Sequence, residues 1–396
     1  MAASVALIVL LGLISYRLFS WMRLPGFLGV LLLGMVIGPN GTDWIDESIL
    51  LVSGDLRKIA LIIILLRAGL GLHRQTLKKV GMPALRLGFI PVVVEGFVVL
   101  LAAVWLLDIS RVEAGMLGFI IAAVSPAVIV PKMLHFIHTG KGADKGIPTM
   151  ILAGASIDDV VAITIFSAFA GLYAGSSISM TGQILSIPIA IVTGAMLGIA
   201  VALLLLFVFQ KMNVRHTKKI LLIIAASILL TTLEDYLKNI VPVAALLGVM
   251  AIGFVIYEKK PQLGITLSGK FAKIWVFAEI LLFFLVGAEV NFLLAAEAGA
   301  VGLAIIGIGL LGRSLGVLLS LLGTNLTLKE KGFCIMAYSP KATVQAAIGS
   351  VPLAMGAPAG DIILTIAVLS IVITAPLGSI AMNIMGNTFL KGKSLD

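Results

Sequence analysis

The sequence predicts an all-α polytopic membrane protein of about 13 transmembrane helices, with an inverted-topology repeat and two broken crossing helices, spans 5 and 12. Three observations carry that expectation. Of the 396 residues, 60% are hydrophobic and only 12% charged, with a mean hydropathy of +1.17. Apolar stretches of roughly 20 residues, the length that crosses a bilayer, recur along the whole chain. A short pattern centred on Ser-Pro occurs twice, in spans that run in opposite directions. Strong β alternation is missing, which speaks against a barrel.

The spans fall at roughly 2–20, 26–38, 54–72, 83–106, 113–132, 147–172, 183–209, 219–236, 241–257, 271–294, 299–323, 331–350 and 360–387. The first, AASVALIVLLGLISYRLF, has neither a basic leading region nor an A-x-A cleavage site. It reads as a retained helix, not a signal peptide. The loops fix the count. Alternate loops, with the carboxy-terminal tail, hold nineteen basic residues, from Arg23 through Lys78, Lys145, Arg215 and Lys260 to Lys393. The opposite loops hold only Arg111 and Lys238, and the loop NGTDWIDES after span 2 is acidic. Positive charge stays on the cytoplasmic side, so the amino terminus lies outside and the carboxy terminus in the cytoplasm. The same asymmetry accounts for the net charge of +9 without a nucleic-acid partner. The expected setting is a bacterial plasma membrane. The single Cys334 excludes an intramolecular disulfide and argues against a metal–thiolate site.

Residues 118–130 read GFIIAAVSPAVIV and residues 332–344 read GFCIMAYSPKATV. Gly, Phe, Ile, Ala, Ser, Pro and Val recur at the same offsets. The copies lie in spans 5 and 12, an odd number of spans apart, so they cross the membrane in opposite senses. Inverted repeats of this kind are common in secondary transporters. Pro126 and Pro340 each lack an N–H and clash with the preceding turn, and each pushes the residue before it toward extended geometry. The freed backbone groups must then be satisfied inside protein or in a wet cavity. Two breaks meeting near the bilayer centre would carry the partial charges of helix ends.

Few ionisable residues lie inside the spans, and each is costly unless paired or hydrated. Asp158 and Asp159 stand side by side in LAGASIDDVVAITIF, in the middle of span 6. Glu95 lies mid-span in PVVVEGFVVL, Arg313 in GLLGRSLGVLL, and Lys341 follows the second Ser-Pro. Neighbouring helical residues point about 100° apart. One aspartate can therefore face a cationic partner while the other faces the pathway. Burial and like charge favour a carboxyl's protonated form, and a nearby cation favours the ionised form. A carboxyl poised between these can trade a proton for a small monovalent cation. Ser125, Ser156, Ser339 or freed carbonyls would complete the oxygen shell of a hard ion. Competition between H⁺ and the cation for one carboxylate is all that exchange requires. The structural alternative is a brace of salt bridges to Arg313 and Lys341, which would not need two acids. Lys341 also suits the carbonyl ends of the broken helices, and Glu95 is placed to pair with Arg313. Glu289 reads as solvated, Glu279 equally as structural or functional, and Arg67 as snorkelling toward the cytoplasm. His73, His135, His138 and His216 read as solvated loop residues, and the spacing of His135 and His138 is too weak to claim a metal.

At GASIDDVVAI, AAVSPAVIVPKML, LLRAGLGL, FFLVGAEV and YSPKATVQAAIG the chain resembles the monovalent cation:proton antiporters of the NapA/NhaA-like branch. It is most similar to the NHA-type sodium/proton exchangers, and the resemblance covers essentially the whole chain. It implies a homodimer with a dimerisation or scaffold domain (1–82 and 219–298) and a mobile ion-binding core (83–182 and 299–387). Residues 183–218 would be the linker helix and its cytoplasmic loop, and 388–396 a short cytoplasmic tail. It implies that Asp159 carries the ion and the proton, with Asp158 paired to a basic residue on span 11. Many relatives have lysine there; this chain has Arg313, as NHA-type relatives do alongside a membrane glutamate like Glu95. Arginine keeps its proton, which speaks against a cycle in which that residue releases one. Unlike many potassium-efflux relatives, the chain shows no nucleotide-binding domain after span 13.

The expected function is secondary active antiport of Na⁺ (or Li⁺) for H⁺ by alternating access, within membrane lipid, without enzymatic activity and without a cofactor. A K⁺/H⁺ antiporter is the alternative within the same fold. An intramembrane aspartyl protease needs two carboxylates that face each other, normally from two helices, and adjacent residues cannot easily supply that. A solute symporter would need a polar or aromatic cavity, and only 7% of the residues are aromatic.

Overall fold

The computed structural model describes residues 1–22, 24–71, 74–175, 180–211, 215–237, 241–289 and 299–390. Among these residues every regular element is a helix. In chain order they are α1 (Ala2–Trp21), α2 (Gly26–Ile37), α3 (Glu47–Leu51), α4 (Ser53–Gly71), α5 (Arg74–Leu107), α6 (Arg111–Ala122), α7 (Pro126–His138), α8 (Ile147–Tyr173) and α9 (Met180–Lys211). There follow α10 (His216–Leu237), α11 (Ala245–Lys259), α12 (Pro261–Glu289), α13 (Gly299–Ser320), α14 (Leu328–Ala337), α15 (Thr343–Ile348), α16 (Val351–Ala354) and α17 (Gly360–Phe389). Eight of the described helices are long and apolar enough to cross a membrane.

Local chemistry explains where the helices depart from the expected spans. The helical path of α5 starts ahead of span 4, but Gly81 interrupts it at φ 55° and ψ −146°. Only glycine adopts that conformation without a Cβ penalty, so the membrane run begins after it. Helix α12 starts at Pro261, not near residue 271. Proline's missing N–H costs nothing in a first turn. Lys270 and Lys273, expected in a loop, therefore ride on the helix. The acidic loop after α2 contains α3, capped by Asp46, whose carboxylate accepts from Ser48 N at 2.9 Å.

Two sets of helices make most of the contacts. In one, α5 lies against α13, α6 and α8; in the other, α12 lies against α2 and α4, and α11 against α9 and α4. Lipid is as apolar as leucine, so close packing rather than water exclusion holds such helices together. The α2–α12 crossing illustrates it. A Cβ on Gly34 would overlap the Phe284 carbonyl, and one on Gly287 would overlap the Leu31 carbonyl. Beside this crossing, Phe27 and Phe283 stack with centroids 4.5 Å apart.

The helices that lead into the two Ser-Pro segments open in the same way. Ser110 and Glu113 form a capping box at the start of α6, and Thr327 and Glu330 form another at the start of α14. Each box satisfies two amides at a helix end. Each glutamate also binds elsewhere: Glu113 accepts from Ala359 N at 3.0 Å, and Glu330 pairs with Lys145 at 2.7 Å.

Candidate functional site

The site is assembled where α6 and α14 stop. After Ala122 the chain turns extended, with Ala123 at φ −67°, ψ 139° and Ser125 at φ −92°, ψ 111°, before α7 begins at Pro126. After Ala337, residues 338–342 are non-helical until α15 begins at Thr343. The two interruptions touch. Ser125 N donates to Pro340 O at 2.9 Å, and Thr343 N lies 3.4 Å from Ser125 Oγ. Each interrupted helix leaves carbonyls with no amide from a following turn.

Five ionisable side chains converge on this crossing, and four of them pair. Asp158 is fully buried; its Oδ1 is 2.7 Å from Arg313 Nη2, and its Oδ2 accepts from Val124 N at 2.9 Å. Glu95 Oε2 lies 2.7 Å from Lys341 Nζ and 3.2 Å from Arg313 Nη1. Both cations also serve the helix ends. Arg313 Nε donates to Tyr338 O at 3.0 Å and Nη1 donates to Ala122 O, while Lys341 Nζ reaches Ala122 O at 3.5 Å. The guanidinium sits 5.2 Å from the centroid of the Tyr338 ring. Helix α8 comes close to that tyrosine because Gly154 has no side chain: a Cβ there would collide with the Tyr338 hydroxyl. Asp159 differs from its neighbour. It is 6% exposed where Asp158 is 0%, it makes no ion pair among the described residues, and its Oδ1 finds no hydrogen-bond partner among them.

The model of the family described as "Sodium/hydrogen exchanger, transmembrane" matches residues 5–387. The chain belongs to the sodium/hydrogen exchanger family. Its proteins are transporters, not enzymes. The human protein named sodium/hydrogen exchanger 9B2 is 35% identical over 397 residues, spanning 96% of this chain and 72% of that one. Human sodium/hydrogen exchanger 9B1 is 32% identical over 394 residues, with 93% and 73% covered. The structure of the sodium proton antiporter MjNhaP1 from Methanocaldococcus jannaschii at pH 8 superposes with a TM-score of 0.85 over 98% of each chain. At 19% identity that likeness speaks for the fold alone.

Within this exchanger, Asp158, Asp159, Glu95, Arg313, Lys341 and Ser125 come together, and Pro126 and Pro340 flank the two interruptions. Ser339 spends its hydroxyl on its own turn, donating to Met336 O at 2.8 Å. The side chain of Ser156 lies outside the described residues. Lys341, expected at the helix ends or bridged to the aspartates, has Glu95 as its nearest partner and also reaches a helix-end carbonyl. Glu289, expected to be solvated, is instead paired. Its Oε2 lies 2.7 Å from Arg57 Nη1 and its Oε1 accepts from Ser53 Oγ at 3.0 Å. Arg57 also donates to Ser350 Oγ, just past α15. Arg67 is half-buried and close enough to Glu279 to act on its charge. His135 and His216 are exposed, whereas His73 and the His138 side chain lie outside the described residues.

Sequence reasoning missed Gln345, which is fully buried and donates to three carbonyls at the α6 end. A polar residue five positions past the second Ser-Pro, in an apolar run, was the available signal. It also missed Glu113 and Glu330, although S/T-x-x-E before an apolar run is a recognised helix start.

Proposed function

We propose that this exchanger moves Na⁺ (or Li⁺) against H⁺ by alternating access, with the two competing for Asp159. One observation carries the reading: four of the five buried charges at the crossing pair off, and Asp159 is the acid with no ion pair among the described residues; its Oδ1, like Glu95 Oε1, has no hydrogen-bond partner among them. A buried carboxylate without a counter-charge is costly. Either a proton or a monovalent cation removes that cost, and one oxygen atom cannot hold both. On this reading Asp158 is not a second carrier; Arg313 and Val124 N occupy its two oxygens. Ser125 and Thr343, whose hydroxyls lie 3.4 Å apart, are side-chain oxygens supplied by the two breaks.

The finer architecture belongs to the same proposal. We read α6–α7 and α14–α15 as the two broken crossing helices of an inverted repeat within about 13 spans. The backbone bond between Ser125 and Pro340 supports this, as do the capping boxes that open both copies. The helices α5–α8 and α13–α17 would form the moving core, and α1–α4 with α10–α12 the scaffold and homodimer side; the two contact sets support that division. The basic loops support an outside amino terminus and a cytoplasmic carboxy terminus.

The test is a pH-gradient assay in proteoliposomes, with Na⁺, Li⁺ and K⁺ added separately. Wild type is expected to collapse the gradient with Na⁺ or Li⁺, and Asp159→Asn to leave it standing. A response to K⁺ alone would favour the K⁺/H⁺ alternative. An Asp159→Asn protein with wild-type Na⁺ response would end the assignment.

A further inference from the structure

The last carbonyls of α6 are the most demanding groups at the crossing. They lie in the last turn and C-cap of a helix and away from water, where an unpaired carbonyl is costly. Arg313 and Lys341 attend to Ala122 O. The carbonyls on either side are taken by one neutral side chain from the other copy of the repeat. Gln345, the third residue of α15, donates from Nε2 to Ile120 O at 2.8 Å, Ile121 O at 3.3 Å and Ala123 O at 2.8 Å. Its two amide hydrogens are thus shared among three acceptors. The next residue along, Val124, is the one whose N–H holds Asp158. A charged donor in Gln345's place would upset the pairing of two cations with two acids; a carboxamide supplies the bonds without charge.

We propose that Gln345 is a positioning residue for exchange: its carboxamide fixes residues 120–123, so that Val124 N stays on Asp158 and Asp159 keeps its place beside that pair. The same bonds occupy carbonyls 120, 121 and 123, which leaves the ion to side-chain oxygens. The inference rests on the exchanger reading above. Gln345→Met keeps the length and removes the donors. In proteoliposomes, rates are taken per folded transporter, beside wild type and Asp159→Asn. The Na⁺ KM of Gln345→Met is expected to rise about tenfold, the scale of a sub-ångström misplacement, with a smaller change in maximal rate. The pH profile is expected to shift with it. A Gln345→Met protein with wild-type KM and pH profile, reduced only in yield, overturns the proposal. If that variant does not fold, Gln345→Asn, which retracts the amide by one methylene, replaces it with the same expectation and the same refuting result. If wild type itself ignores Na⁺, the exchanger reading has failed. Hydrogen–deuterium exchange of the peptide over residues 118–130 then decides on positioning: faster exchange in the variant supports it, and equal protection overturns it.

Discussion

Asp158 and Asp159 are neighbours in sequence, yet their loss should move stability in different directions. In Asp158→Asn the carboxamide has one acceptor and one donor end. Whichever way it turns, its NH₂ faces either Arg313 Nη2 or Val124 N, both donors now at 2.7 and 2.9 Å from carboxylate oxygens. The buried guanidinium also loses half its counter-charge. Removing one partner of a buried pair costs about 3–5 kcal/mol. Unfolding entropy is about 2.1 cal/mol/K per residue; over 396 residues that is about 0.8 kcal/mol/K. The melting temperature should therefore fall by about 4–6 °C. Asp159→Asn removes an acid that no cation offsets, so it should melt within about 1 °C of wild type or above it. The assay is thermal unfolding of purified protein in detergent, with and without Na⁺. A bound ion stabilises wild type by about 2.7 kcal/mol at a hundredfold excess over its Kd. That increment should survive in Asp158→Asn, if weakened, and vanish in Asp159→Asn. Equal losses in the two variants, or a larger loss in Asp159→Asn, would refute the division of roles.

The Arg57–Glu289 pair, with side chains 7% and 21% exposed, should show coupling. Arg57→Ala and Glu289→Ala should each lower the melting temperature, and the double variant by less than their sum, with an interaction energy of about 1–3 kcal/mol; strict additivity would mean the contact contributes nothing. At the start of α14, burial alone would raise the Glu330 carboxyl, but hydrogen bonds from Lys145 and Thr327 outweigh it and hold its pKa below the ordinary value. A lowered folded-state pKa stabilises the fold above the unfolded-state pKa, near 4.3, and that stability is lost as pH falls through the folded value. Glu330→Gln should flatten the decline of melting temperature in that acid range, and an unaltered decline would remove Glu330 as its source.

What was legible in the sequence was whatever composition and spacing alone determine. Hydrophobic runs placed α8, α13 and α17 within a few residues, because lipid demands apolar length and little else. The repeated Ser-Pro marked both interruptions, since proline acts on its own backbone. The Asp158–Arg313 and Glu95–Lys341 pairings were harder. They join residues 155 and 246 positions apart, and any acid in the core might have met either cation on charge alone. Glu289 was misread because its nearest polar neighbour in sequence, Asn291, suggested water; its true partner sits on α4, which no local pattern reveals. Gln345 was passed over because amides carry no charge to attract notice, although a buried amide must find partners as surely as a buried ion.

The side-by-side acids follow from the breaks themselves. Interrupting α6 and α14 leaves carbonyl ends buried inside the protein, and cations are the strongest donors to such ends. Arg313 and Lys341 fill that role at Ala122 O and Tyr338 O. Two buried cations then need two acids, and Asp158 and Glu95 are those acids. Up to that point the charges of the cluster cancel. Asp159 is the surplus charge, one residue on and turned about 100° around the same helix. On the proposed mechanism, a single proton or a single Na⁺ brings the whole cluster to neutrality. A divalent cation would leave one positive charge uncancelled in a low-dielectric site and bear its full desolvation cost. The preference for monovalent ions then lies in the charge balance of five side chains before any ligand geometry is considered.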